Sequence, residues 1–307
     1  RLPMQTVGRF APSPSGRMHL GNVLCALLAW LSARHQNGAF LLRIEDLDAM
    51  RCPRSYADLI MDDLRWLGLD WDGEVPYQSE RAPIYEKYEQ ILREKGLLYP
   101  CFCSRAALHA ASAPHLSDGR VLYAGTCRDL TPAEIEEKRK KRAPATRVRV
   151  PDEIISFTDG VFGAYSENLA EECGDFIIRR SDGVFAYQLA VSVDDLDMGI
   201  TRVVRARDLL DSTPRQIWLM GTLGGKAPEY AHAPLLVAPD GRKLSKREGD
   251  LNMEALRQKY TPEQLTGKLA KLAGLRPTDA PVTAIELAAD FSWDKVPRAD
   301  IPIPPDF

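Results

Sequence analysis

Three stretches of the chain carry residue types and spacings that could do chemistry. The first reads Arg9-Phe10-Ala11-Pro12-Ser13-Pro14-Ser15-Gly16-Arg17-Met18-His19-Leu20-Gly21-Asn22, and an apolar helix former, VLCALLAWLSARH, follows it directly. A helix N-terminus offers unpaired N–H groups and a partial positive charge, both suited to phosphate. Gly21 lets a flat ligand approach the backbone, and His19 can donate to a phosphate oxygen. The same residues also suit a plain turn capped by a histidine. The second stretch, Gly241-Arg242-Lys243-Leu244-Ser245-Lys246-Arg247, sets four cations and a serine in one loop. Taken alone it reads as a solvated basic loop, as most charge runs do. The third is Cys101-Phe102-Cys103 followed by Tyr123-Ala124-Gly125-Thr126-Cys127. Three thiolates at this spacing suit zinc, which wants four tetrahedral ligands; the alternative is three incidental buried thiols.

The elements that must position these groups can be read from the pattern of apolar residues. The chain has 307 residues, room for two or three packed units. Hydrophobic content is 45% and charged content 27%, the balance of a soluble globular protein. Formal net charge is −3, so an anionic partner must be met by a local patch rather than by bulk charge. No apolar run reaches the roughly 18–20 residues that span a bilayer, and cytoplasm is the expected compartment. Six cysteines in such a chain suggest reduced thiols or a metal site rather than disulfides. Val7 to Phe10 suits a short strand, and His19 to His35 a helix ended by Gln36-Asn37-Gly38. Phe40 to Glu45 reads as a buried strand, and Pro53 to Leu67 and 82–96 as helices. This order implies an α/β fold with a parallel sheet. Residues 101–171 are rich in cysteine and charge and look like an insertion. Strands are expected at Asp175–Arg179, Phe185–Val193 and Thr201–Arg205, with a helix from Ser212-Thr213-Pro214. Residues 250–274 read as helices, and the proline-bearing tail from Pro297 to Phe307 as an extended strap.

Taken together, the first two stretches resemble the two ATP-binding motifs of the class I aminoacyl-tRNA synthetases. His19-Leu20-Gly21-Asn22 stands at the first motif, and Lys243-Leu244-Ser245-Lys246-Arg247, about 220 residues on, at the second. No Gly-x-Gly-x-x-Gly and no Walker lysine loop compete with them. The resemblance implies a Rossmann-type catalytic domain that activates a carboxylate by attack on the α-phosphate of ATP, with magnesium accompanying the nucleotide. Such chemistry needs positioning and charge stabilisation more than a nucleophilic side chain. It implies catalytic roles for His19, Lys243 and Lys246, and ATP contacts from Pro12, His19, Gly21, Asn22, Lys243, Ser245 and Lys246. Four further segments resemble glutamyl-tRNA synthetases: Arg9–Ser13, Leu42–Asp46, Phe185–Ala190 and Val203–Arg205. They imply glutamate binding by Arg9, Ala11, Ser13, Glu45, Tyr187 and Arg205. Two cations, one carboxylate and a hydroxyl match an amino acid with two carboxylates and one ammonium. Which arginine meets which carboxylate stays open at this point.

Within that branch the chain is most similar to the shortened paralogues, the glutamyl-queuosine tRNA(Asp) synthetases. Long enzymes usually end the zinc motif with Cys-x-His. Here no histidine closely follows Cys127, and His109 and His115 lie at unfamiliar spacing. The resemblance to the short family implies one structural zinc held by Cys101, Cys103, Tyr123 and Cys127. Only 60 residues follow Arg247, too few for a helical anticodon-binding domain. Val191 and Asp211-Ser212-Thr213-Pro214-Arg215-Gln216 also match the short family, whereas Arg247 stands where short enzymes often carry glutamine. The implied partners are glutamate, ATP and tRNA(Asp) bearing queuosine at the wobble position, for a monomer without membrane association. The implied division is 1–100 for the first catalytic half, 101–172 for a zinc-bearing insertion, 173–249 for the second half and 250–307 for a small helical domain and tail. Lys138–Arg142, Arg147 and Arg149 are candidate tRNA phosphate contacts, or else members of a solvated face. A truncated enzyme charging tRNA(Glu) and a non-catalytic tRNA-binding paralogue are the alternatives.

Overall fold

A computed structural model describes residues 4–105, 122–244 and 251–307. Strand β1 (Val7–Phe10) leads through the proline turn into helix α1 (Leu20–His35), and β2 (Ala39–Leu42) returns parallel to β1 with Val7 opposite Ala39. Helices α2 (Arg54–Trp66) and α3 (Ala82–Glu94) follow, then β3 (Leu98–Cys101). Next come α4 (Pro132–Arg139), β4 (Ala145–Val148) and the hairpin of β5 (Ile154–Asp159) and β6 (Gly163–Asn168). Strand β7 (Phe176–Arg179) joins β3 and β4 in an antiparallel sheet of order β3-β4-β7. After α5 (Tyr187–Asp197) a second parallel pair forms from β8 (Arg202–Ala206), α6 (Thr213–Thr222) and β9 (Glu229–Ala233). The two parallel pairs adjoin where Thr201 N–H donates to Val7 O (2.9 Å) and Val7 N–H to Thr201 Oγ1 (2.8 Å). The chain ends with β10 (Leu236–Val237), α7 (Met253–Lys259), α8 (Pro262–Leu272), α9 (Ala284–Ala289) and β11 (Ile301–Pro302).

Helix α1 is apolar all round from Ala26 to Leu31 because every residue of that stretch is buried. It shares one core with β2, with α2 and with the helices that follow residue 251. A helix that is hydrophobic all round is a buried one. Its exit requires glycine, since a Cβ on Gly38 would lie 2.4 Å from Thr6 O, and β2 could not then start beside β1. The tail is extended, as the prolines imply: Ile301 N–H donates to Leu235 O and Ile303 N–H to Val237 O, so β11 runs parallel to β10.

One expected strand is a helix. Phe185 makes only an isolated antiparallel bridge to Arg179, and Tyr187 to Asp197 is α5. The β-branched Val191 and Val193 suggested a strand, but every residue from Leu189 to Asp195 is buried. Packing decides over propensity where a segment is enclosed on several sides. The helical form turns both Asp194 and Asp195 inward, which a strand with alternating faces would not do. Strand β2 also ends earlier than Phe40–Glu45 implied. The ladder stops at Leu42, after which Arg43 N–H bonds Phe10 O and Ile44 bridges to Tyr77.

Candidate active site

His19 is the N-cap of α1. Its Nδ1 accepts from Gly21 N–H at 3.2 Å, while Asn22 Oδ1 accepts from His19 N–H at 3.2 Å. An accepting Nδ1 puts the proton of the neutral ring on Nε2. Desolvation by the surrounding protein holds the imidazole below its ordinary pKa, which favours that neutral form. Capping and phosphate recognition therefore use opposite sides of one ring, and the two readings of this turn are compatible. A Cβ at Gly21 would lie 3.1 Å from the His19 ring, so glycine there keeps the imidazole in place.

The described residues on either side of 245–250 meet the first turn in space. His19 forms an antiparallel bridge with Asn252, and Met253 N–H donates to Met18 O at 2.8 Å, which pins the chain just beyond the basic loop to the first turn. Between them lies a cleft of about 860 Å³ whose walls include His19, Gly21, Asn22 and Lys243. Ala206 to Asp208 and Pro234 to Val237, which follow β8 and β9, complete it at the carboxyl ends of the parallel strands. Asp300 of the tail also lines it and accepts from Arg207 at 2.8 Å. Lys243 is exposed, and Ser245 and Lys246 lie outside the described residues. Pro12 is buried in the turn, where its carbonyl accepts from Glu45 N–H, and Ser13 is exposed. Cys25 is part-buried on the cleft wall, and Cys52 and Cys173 lie elsewhere, neither in a disulfide.

A buried charged cluster lies behind the first turn. Arg9 donates to both carboxylate oxygens of Asp195, at 3.1 and 3.0 Å. Arg43 is fully buried and bridges Asp195 (2.9 Å) to Glu45 (3.1 Å). Gln78 links Glu45 to Asp194, which also accepts from Arg81 and Tyr85. Burial alone would raise the Asp195 carboxyl, but Arg9 and Arg43 outweigh it and bring it down to about 2. Burial pushes Glu45 up despite Arg43 and Arg9, and raises Tyr187, whose hydroxyl feels Arg205, Glu45 and Arg9. Among the expected residues, then, Arg9, Glu45 and Arg205 all fall within electrostatic reach of Tyr187.

Arg205 differs from the other two arginines. It is buried, yet its acceptors are His232 Nε2 (3.0 Å), Gln216 Oε1 (2.7 Å) and Thr213 Oγ1 (2.8 Å), all uncharged. Among the described residues no carboxylate pairs with it. Sequence reading missed Arg43, Asp195, Gln78 and His232. The available signal was a charged residue inside an apolar run, as in Leu41-Leu42-Arg43-Ile44.

The three cysteines also converge. The Sγ atoms of Cys101, Cys103 and Cys127 all lie within 4.8 Å of one another. Cys103 and Cys127 are 3.7 Å apart, and Tyr123 Oη is 3.6 Å from Cys101 Sγ and 3.9 Å from Cys103 Sγ. Zinc bonds of about 2.3 Å to sulfur and 2.0 Å to oxygen would set tetrahedral S–S and S–O edges near 3.8 and 3.5 Å. The donor set fits zinc. Burial works against ionisation of Cys101, but hydrogen bonds from Arg147 and from Cys103 N–H bring its thiol below the ordinary value. Burial pushes Cys103 up to about 11 and raises Tyr123 as well. Arg147 is not free for a nucleic acid: it is buried, donates to Cys101 Sγ (3.2 Å) and Asp175 O (2.7 Å), and stacks 3.6 Å over the Tyr123 ring. Arg149 donates to Arg128 O, whereas Lys138 to Arg142 are exposed. His109 and His115 lie outside the described residues.

Residues 5–297 match the family described as tRNA synthetases class I (E and Q), catalytic domain. A protein of Symbiobacterium thermophilum named glutamyl-Q tRNA(Asp) synthetase is 48% identical over 97% of this chain and 95% of its own length. One of Neisseria meningitidis serogroup C with the same name is 44% identical over 97% and 99%. The crystal structure of a glutamate tRNA ligase from Elizabethkingia meningosepticum, in complex with its amino acid, superposes with a TM-score of 0.85 at 30% identity, covering 99% of this chain and 68% of that one. No described helix is long and apolar enough to cross a membrane. With His19, Gly21, Asn22 and Lys243 walling one cleft and near-full-length relatives of one name, the chain belongs to the class I (E and Q) tRNA synthetase family, in its glutamyl-Q tRNA(Asp) synthetase branch.

Proposed function

We propose that this protein activates glutamate with ATP and transfers the glutamyl group to the queuosine base at the wobble position of tRNA(Asp). The reading is carried by one juxtaposition. A cleft walled by His19, Gly21, Asn22 and Lys243 adjoins a strand end that holds a buried arginine paired with no carboxylate among the described residues. The relatives' shared name supports the acceptor.

In the first step a glutamate carboxylate oxygen attacks the α-phosphorus, and the bond to pyrophosphate breaks. His19 Nε2–H and the α1 N-terminus hold the phosphates, with Gly21 and Asn22 at the turn. Lys243 and Lys246 neutralise the leaving pyrophosphate, and Pro12 and Ser245 complete the ATP contacts, with magnesium accompanying the nucleotide. Arg205 receives a glutamate carboxylate, while Glu45, Tyr187 and the Arg9–Ala11–Ser13 segment complete the amino-acid pocket. In the second step a ring hydroxyl of the queuosine cyclopentenediol attacks the activated carbonyl carbon and AMP leaves. Cys101, Cys103, Tyr123 and Cys127 hold one zinc, which supplies structure to the 101–172 insertion between the two catalytic halves. The protein acts in the cytoplasm as a monomer, and the exposed run Lys138–Arg142 offers phosphate contacts to the tRNA.

The test supplies protein, ATP, magnesium and labelled glutamate with three acceptors: tRNA(Glu), queuosine-containing tRNA(Asp) and unmodified tRNA(Asp). Label is expected on queuosine-containing tRNA(Asp) alone. Label on tRNA(Glu) would contradict the proposal.

A further inference from the structure

Arg205 is a buried cation whose acceptors among the described residues are all neutral, and the key one is a histidine with a defined tautomer. His232 sits opposite Arg205 on the paired strand, and its side chain has no exposure. Its Nδ1 lies 2.6 Å from Asp159 Oδ1. The same carboxylate accepts from the backbone N–H groups of Val161, Phe162 and His232, so it is held in one pose. The carboxylate can only accept, so the proton of the His232 ring sits on Nδ1, and Nε2 is left as an acceptor. Arg205 Nε–H donates to that Nε2 at 3.0 Å. The Tyr230 ring stacks on His232 at 6.0 Å and 14°, and lies 5.3 Å from the Arg205 guanidinium, which closes the wall on a further side. Thr213 and Gln216 take two more N–H groups, and Gln216 is itself fixed by Gln188 at 2.8 Å. Three of the five guanidinium N–H groups are thus spent on orientation, and two remain.

We infer that Asp159 and His232 form a positioning relay that fixes the Arg205 guanidinium, without neutralising it, to receive a carboxylate of the glutamate substrate. The inference rests on the reading of Arg205 as a glutamate receptor given under Proposed function. Neither relay residue touches substrate. A carboxylate placed directly on Arg205, as Asp195 is placed on Arg9, would orient the guanidinium equally well but cancel the charge that the substrate must find. Inserting a neutral imidazole between carboxylate and guanidinium gives the orientation and keeps the charge.

The experiment is ATP–pyrophosphate exchange by the full chain as wild type, Asp159→Asn, Arg205→Met and the double variant. An asparagine amide can donate to Nδ1, which moves the ring proton to Nε2 and sets a donor against Arg205 Nε–H. Asp159→Asn is expected to raise the glutamate KM about 10- to 100-fold with the ATP KM within about twofold, and to add nothing further in the Arg205→Met background. Equal rises in both KM values, or full additivity in the double variant, would overturn the relay as a positioning device. An unchanged glutamate KM in Arg205→Met would instead overturn the reading of Arg205 itself, and the relay with it. Nitrogen-15 spectra of histidine-labelled wild-type protein test the tautomer without any variant, and five histidines keep assignment tractable. A neutral His232 ring protonated on Nδ1 at pH 7 is expected. A proton on Nε2 at that pH would overturn the inference.

Discussion

The wall around Arg205 and the knuckle of Cys101, Cys103, Tyr123 and Cys127 are both polar clusters set into the protein, and among the described residues neither holds the ion that its chemistry suits. The first is a guanidinium among neutral acceptors. The second is three thiols and a phenol beside the Arg147 guanidinium. A buried charge that the chain does not pair must be paired by something else. Arg9 and Arg43 are the contrast within the same core: Asp195 and Glu45 already answer them. The guanidinium suits an anionic substrate that comes and goes, and the thiols and phenol suit a resident cation whose binding releases their protons.

That contrast can be broken from either side. The largest effect is expected from Cys127→Ser. Zinc measured by atomic emission should fall from about one per chain to below about 0.2, and hydrogen exchange should show loss of protection in residues 122–148. Glutamate-dependent pyrophosphate exchange should stay within about threefold, because the knuckle and the Arg205 wall share no residue. A loss of exchange as large as the loss of zinc would merge the two regions into one. Next, the cleft should respond separately from the amino-acid wall. His19→Ala removes the Nε2–H donor and is expected to lower kcat for exchange about 10²-fold with little change in glutamate KM. Smaller still is Gly21→Ala: a Cβ 3.1 Å from the His19 ring should displace the imidazole and raise the ATP KM about fivefold, read in the same assay.

The smallest effect is one of stability. Burial holds His232 below its ordinary value of 6.5, with Arg205 and Arg9 acting in the same sense and Asp159 opposing. The folded protein keeps the ring neutral, whereas the unfolded chain takes up a proton below pH 6.5. Stability is therefore fully present above that value and falls as pH drops from it toward the folded value, by at most about 1.4 kcal/mol per pH unit. Urea unfolding at pH 7.5 and 5.5 should show this slope, and His232→Gln should flatten it. An unchanged slope would mean that His232 does not titrate with folding.

Much of this was legible in the sequence because the decisive groups lie in local patterns. The first turn, α1, β1 and the cysteine spacing each occupy one short stretch whose backbone demands show in its glycines, prolines and caps. Segments whose state depends on burial were harder to read. The stretch from Phe185 to Val193 carries strand-forming valines, but enclosure on several sides makes its greater part helical. The Arg43–Asp195 pair joins residues 152 positions apart, and Asp159–His232 residues 73 apart. Such partners are chosen by topology, and no local pattern announces them. Arg147 misled for the same reason: a cation on a strand looks free for phosphate until the packed knuckle takes it.

The central claim is that the charge which the core leaves unpaired on Arg205 is the receptor for glutamate. The most direct test is the glutamate and ATP dependence of pyrophosphate exchange by Arg205→Met beside wild type. The account predicts a glutamate KM raised at least about 100-fold with the ATP KM within about twofold. A glutamate KM equal to that of wild type would contradict it.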